Sequence, residues 1–297
     1  MSIPTRPTRW SQEQRLEFID FRLYWEGRIN RSDLISFFGI SVPQASLDLA
    51  KYIQTAPENI NYDKKQKVYL STPNFKPAFI TPNAYDYLNG LKSVLSGFIQ
   101  KESLFSGWHP PVDSVSTPYR AISAHVLKTV LDAIRYQHTL TIEYQSLTEA
   151  NPVTRDISPH AIACDGQRWH IRAYCHLRQQ FRDFLLARIL NLDIQGSSTI
   201  NAANDNDWAT ILTLELAPNP ALSSSQKQVI ARDYAMENER VNVPTRLALL
   251  RYTLKHLGLW EANAALNAQK FTEKDILSNP HEHPIILLNR EALAPYF

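Results

Sequence analysis

Leu16, Phe18, Ile19 and Leu23 recur at helical spacings behind Ser11 and Gln14, a pairing that resembles a capping box. The pattern predicts a helix that runs through about Glu26. A second short helix fits residues 31–38, with Leu34, Ile35 and Phe38 on one side, and Gly39-Ile40-Ser41 then supplies a tight turn. A third helix starts near Pro43, a residue suited to a first turn, and continues to about Ile53 through Leu47 and Ala50. Residues 59–70 alternate weakly around Asp63-Lys64-Lys65, as a hairpin would. Helix, helix, tight turn, helix and basic hairpin is the order of a winged helix-turn-helix. A further helix over residues 84–100 completes this block.

In a second block Ile122, Val126, Leu127, Val130, Leu131 and Ile134 trace an amphipathic helix. Strands are expected at 140–144, 155–163, 168–174 and 183–189, with Asp165-Gly166 as a hairpin signal between two of them. One helix and several short antiparallel strands point to a small barrel-like sheet. A third block offers a strand at 211–216, helices at 225–235 and 244–257, and a strand at 284–288, an α+β mix. Two seams divide the blocks, residues 103–118 and 196–207, both polar or proline-rich and both read as connections. The expected domains are therefore 1–102, a linker at 103–118, 119–196, and 208–297.

Composition narrows the function. Eight glycines in 297 residues are spread so that neither GxGxxG nor GxxxxGK occurs, and HExxH and GxSxG are also absent. Cys164 and Cys175 form no CxxC pair, so no zinc site or disulfide framework is indicated. No apolar run is long enough to cross a membrane, and the first residues lack a secretory leader, so a cytoplasmic location is expected. His160, His170 and His176, and the His281-Glu282-His283 group, lack metal-ligand spacing. No enzyme activity, metal or cofactor is expected.

A helix in the major groove reads bases near its N-terminus while neighbouring basic residues hold phosphates. Here Ser41, Gln44, Ser46 and Lys51 lie on the third helix, and Gln44 could pair bidentately with adenine. Arg28, Arg31, Lys64, Lys65 and Lys67 would neutralise phosphates. The competing interpretation is a three-helix packing module with a solvated lysine turn. Charge alone does not decide it, since residues 1–70 hold ten Lys+Arg and eight Asp+Glu. In residues 119–200 eight of nine basic side chains are arginine, whose planar fork suits phosphate or carboxylate. Alternation puts His170, Arg172 and Tyr174 on one face, and Arg182, Phe184, Leu186 and Arg188 together on the next strand. Such a face could hold an anionic, base-bearing ligand. The alternative is a solvated surface on which the arginines pair with Asp156, Asp183 and Asp193.

Residues 140–144 (LTIEY), 155–160 (RDISPH), 169–174 (WHIRAY) and 181–189 (FRDFLLARI) resemble a WYL domain, an Sm-like or SH3-like barrel of bacterial regulators. Trp169 of the name-giving tripeptide is kept, while His170 and Ile171 replace tyrosine and leucine. The block order resembles WYL-domain transcriptional regulators encoded beside anti-phage defence systems of the BREX and CBASS types. The resemblance implies a multidomain α+β chain with an N-terminal winged helix-turn-helix, a central WYL β-barrel and a C-terminal α+β dimerisation extension. It further implies a homodimeric repressor of a defence operon that binds an inverted-repeat DNA operator. An anionic, nucleotide or nucleic-acid-derived effector would relieve repression. By matching position the effector would meet His160, Tyr174, Arg182 and Arg188, with Arg155 and Arg172 beside them, and Arg246 and Arg251 on the last helix could reach toward it. An activator of the same architecture, or a single-strand-binding accessory protein, is the alternative.

Overall fold

A computed structural model describes residues 11–100, 103–115, 118, 120–260 and 279–296. The chain forms two compact units, Met1–Pro118 and Tyr119–Phe297.

In the first unit α1 spans Gln12–Glu26, with Ser11 accepting from the Gln14 amide and Gln14 reaching back, as the capping pattern requires. Gly27, at φ 71°, ends it in the left-handed conformation that glycine tolerates best. Strand β1 is Arg28–Ile29, α2 is Arg31–Phe38 and α3 is Val42–Thr55, capped by Ser41. The wing is β2, Ile60–Asp63, against β3, Val68–Ser71, and β1 lies on the other side of β3. Asp63 shapes its turn by accepting from the amides of Lys65 and Gln66 at 2.7 and 3.1 Å. Phe18, Ile19, Leu23, Ile29, Leu34, Leu49 and Tyr52 are almost wholly buried between the helices and the wing.

Two differences from the sequence reading arise here. Helix α4 is Ala84–Leu95, shorter than residues 84–100, because Gly97 at φ 70° turns the backbone and the Phe98 amide returns to the Ser93 carbonyl. The stretch from Ser103 is not merely a connection. Phe105 packs edge-on against Phe18, Phe21 and Phe37, and the Gly107 amide donates to Glu26 at 2.7 Å.

In the second unit α5, Ala124–Tyr136, lays Val126, Val130 and Ala133 on a five-stranded antiparallel sheet. Its strands are β4 (His138–Tyr144), β5 (Val153–Cys164), β6 (Trp169–Cys175), β7 (Gln180–Leu185) and β8 (Ile189–Ser197), in the order β7-β6-β5-β4-β8. The strand expected at 183–189 is broken, because Leu186–Arg188 form a 3-10 turn separating β7 from β8. Strand β8 extends into the expected seam and pairs with β4.

The C-terminal part is a second small sheet of β9 (Ile211–Pro218) between β10 (Val241–Arg246) and β11 (Ile285–Leu287). It is joined by helices α6 (Asn206–Ala209), α7 (Ser224–Asp233) and α8 (Leu250–His256). Residues 244–257, expected as one helix, are instead the end of a strand, a 3-10 turn and α8. Pro244 sits in β10, an edge strand, where its missing N–H costs no ladder bond. Arg246 therefore ends a strand and does not lie on the last helix.

Candidate nucleic-acid interface and effector site

Helix α3 is oriented by its inward side. Ala45, Asp48, Leu49 and Tyr52 are buried, and Asp48 takes the Arg15 Nε at 2.6 Å. The polar residues singled out for base reading are largely engaged within the helix. Ser41 accepts from the Gln44 amide at 3.3 Å, Ser46 Oγ donates to the Val42 carbonyl at 2.9 Å, and Gln44 Nε2 donates to Asp48 Oδ1 at 3.1 Å. Bidentate pairing of Gln44 with a base would require that last bond to break. Lys51, Arg28, Arg31, Lys64, Lys65 and Lys67 are all exposed.

In the sheet, register divides the predicted effector residues into two groups. Arg172 stands opposite Asp183, and Ala173 stands opposite Arg182. Because Ile171, Ala173 and Cys175 face the core, Arg172 projects away from it and Arg182 lies on the core-facing side, at an exposed edge.

The first group gathers His160, Arg172 and Tyr174 with residues that sequence reasoning missed. Arg172 is 5% exposed and donates through Nε and Nη2 to Asp205 at 2.7 and 2.8 Å, through Nη1 to Asp183 at 3.2 Å and through Nη2 to Asp207 at 3.3 Å. His160 Nε2 lies 2.9 Å from the same Asp205, and its ring meets Phe181 and Trp208 edge-on. Tyr174 packs edge-on against Phe181. Asp183 in turn accepts from Tyr252 of α8 at 3.1 Å. Burial lowers the Arg172 pKa, and the Asp205 and Asp183 carboxylates more than reverse this, holding it above the ordinary guanidinium value. One guanidinium thus faces three carboxylates, so the group repels a further anion and ties the sheet to the connector before β9. Residues 196–207 are in this respect a packed joint: Asp205 is 2% exposed and also caps α6 through the Trp208 amide. Its only sequence signal was a polar Asn/Asp run that also fits a linker. Among the described residues, only Asp183 of the three aspartates expected to pair with arginine has such an ion pair; Asp156 accepts from Thr141.

The second group is Arg155, Arg182 and Arg188. The Arg155 guanidinium lies over the Tyr144 ring at 5.7 Å, and its buried Nε has no hydrogen-bond partner among the described residues. Tyr144 contacts Phe184 at 5.2 Å, two positions from Arg182 on the same face of β7. Arg188 occupies the 3-10 turn. Arg246 stacks over Trp208 at 4.5 Å and Arg251 over Trp260 at 5.4 Å. Asp165 explains itself as a turn residue, accepting from the Gln167 and Arg168 amides and from His170.

A winged helix, a helix-backed antiparallel sheet and a C-terminal α+β module in this order define a multidomain regulator. Three domain descriptions match in turn: BrxR transcriptional regulator winged helix-turn-helix domain over residues 11–93, WYL domain over 125–194, and BrxR transcriptional regulator C-terminal dimerization domain over 211–293. A DNA-binding transcriptional repressor CapW of Stenotrophomonas maltophilia is 44% identical over 252 residues, 84% of each chain. The repressor of the same name from Pseudomonas aeruginosa is 44% identical over 259 residues, 86% of each chain. The chain belongs to the BrxR and CapW family of WYL-domain transcriptional regulators. Among solved structures, proteasome accessory factor B/C of Arthrobacter aurescens is similar at 15% identity, covering 98% of this chain and 48% of that one, with a TM-score of 0.26.

Proposed function

We propose that this protein is a homodimeric, sequence-specific repressor of a phage-defence operon, released from DNA by an anionic, nucleotide or nucleic-acid-derived effector bound at its WYL sheet. The observation that carries the DNA-binding part is an exposed α3 whose single carboxylate is buried against Arg15, in a unit with a basic wing. Two copies joined through their C-terminal modules would place two such helices on an inverted repeat. The proposed phosphate contacts are Arg28, Arg31, Lys51, Lys64, Lys65 and Lys67, with Ser41, Gln44 and Ser46 nearest the bases.

A mobility-shift comparison of the DNA upstream of its own coding sequence with random duplex tests this reading, and equal affinity for both refutes it. Lys64→Ala or Lys65→Ala is expected to weaken binding to every duplex and to flatten the log–log salt dependence by about one unit per lost phosphate contact.

The effector reading shifts toward the second arginine group. The exposed Arg182 leaves its guanidinium open to a ligand, whereas Arg172 and His160 are already committed to Asp205. Relief requires the effector to favour the DNA-free arrangement, with coupling of ~1–3 kcal/mol changing DNA affinity about 5–150-fold. Arg182→Ala or Arg188→Ala is expected to retain operator binding in a mobility shift and to lose the release produced by oligonucleotides or nucleotides. Loss of DNA binding itself would make this sheet a DNA-contacting surface instead.

A further inference from the structure

The outward surface of α3 is more apolar than its sequence role anticipates. Pro43, Leu47, Ala50 and Gln54 fall at i, i+4, i+7 and i+11, which aligns them as one row, and all four are exposed. Leu47 is 62% exposed, and Val42, beside the row at the helix start, is 52% exposed. The polar groups that would otherwise read bases are turned back on the helix, with Ser46 on the Val42 carbonyl and Gln44 on Asp48. A solitary exposed leucine is ordinary in a folded protein. A leucine, a valine, a proline and an alanine sharing the exposed face of a helix whose only carboxylate is buried is a surface suited to an anionic partner that also offers methyl groups. The major groove of DNA is such a partner, since each thymine presents a C5 methyl there and apolar side chains contact it. The cations of this unit supply the complementary charge: Lys51 on the helix itself, Arg31 and the wing lysines are exposed.

We infer that the protein recognises its operator largely through thymine methyl groups, with Leu47 as the central specificity-determining residue and Val42 and Ala50 flanking it. This rests on the DNA-binding reading above and adds the chemical class of base edge that is read. Hydrogen bonding by Gln44 is then secondary. Burying one methyl is worth ~0.8 kcal/mol, close to a fourfold change in affinity.

The test uses the full-length protein and the duplex it protects from cleavage within its own upstream DNA. Thymines in one half-site are replaced by uracil, which removes the methyl and preserves every hydrogen-bonding edge. Binding is read by fluorescence anisotropy. About a fourfold loss is expected for each methyl that Leu47 contacts. Leu47→Ala should lose a similar factor on the thymine duplex and little more on the uracil duplex, so that the two changes are coupled. In Gln44→Ala the uracil penalty should persist undiminished, because the methyl contact does not pass through that amide. Leu47 is exposed, so its truncation leaves the core intact. Tight binding that is indifferent to uracil, or a Leu47→Ala variant that keeps the full uracil penalty, overturns the inference and leaves the DNA-binding reading standing. Failure to bind any upstream fragment overturns both.

Discussion

Replacing Arg172 with alanine is expected to destabilise the second unit by about 3–5 kcal/mol, the cost of stranding one half of a buried ion pair. The guanidinium is 5% exposed and Asp205 2% exposed, so neither is well hydrated in the folded chain. Removing Arg172 leaves Asp205 with His160 and the Trp208 amide, and leaves Asp183 with Tyr252. Lysine at this position keeps the charge but has no planar fork, and it is expected to recover only part of the loss. Urea unfolding of the full chain, followed by the shift in midpoint at constant slope, measures the difference.

The same network fixes the pH dependence. Burial raises the Asp205 pKa, and the bonds from Arg172 and His160 outweigh burial and hold it below the ordinary carboxylate value. A depressed carboxylate contributes stability above its unfolded pKa, near 4, and loses it as pH falls through the folded value. The gap between the parent protein and Arg172→Ala should therefore be full at neutral pH and narrow below about pH 4. Equal midpoints at neutral pH would mean that the sheet and the connector are held together by something else.

What was legible in the sequence was local. The Ser11–Gln14 capping pair, the Gly39 turn and the Asp63 wing turn act over three or four residues, and each left its mark in the residues themselves. The alternation in β6 likewise placed His170, Arg172 and Tyr174 on one face, because the strand runs without interruption. The same rule failed one strand later. Leu186–Arg188 coil into a 3-10 turn, so Arg182 and Arg188 do not share a strand, and period-two reasoning has no way to register that bend. Residues 244–257 misled for a related reason, since Leu247, Leu250 and Leu254 suit a helix and outweigh the β-branched run before them. The Arg172–Asp205 pair links positions 33 residues apart, and a polar run such as residues 201–207 reads the same whether it is solvated or folded onto a guanidinium. Site chemistry was thus visible as residue types, whereas which cations remain free depended on contacts between distant segments.

Asp20 tests the first unit in the same way. It is wholly buried on α1 and accepts from the amides of Ala78, Phe79 and Ile80 at 2.8, 2.8 and 3.1 Å, and from the Tyr52 hydroxyl. One carboxylate therefore joins α1 to residues 78–80 and, through Tyr52, to α3. Burial first, and the Asp20 contact next, raise the Tyr52 pKa above the ordinary phenol value, so the hydroxyl remains a donor. Asp20→Ala removes the acceptor for three backbone amides and a phenol. At roughly 1–3 kcal/mol for each buried group left unpaired, and with some amides able to reach water, a loss of about 3–4 kcal/mol is expected. Asp20→Asn keeps the shape and one acceptor oxygen, and should fall between. Tyr52→Phe spares the three amides and should cost about 1 kcal/mol, the net worth of one hydrogen bond. Hydrogen exchange supplies a readout that general loosening does not mimic. In Asp20→Asn the amides of Phe79 and Ile80 should lose protection before those of the α1 interior, because the carboxylate is their direct partner. Unchanged protection at those two amides, with a lowered global stability, would mean that Asp20 acts through helix packing and that the 78–80 segment is held by its own side chains.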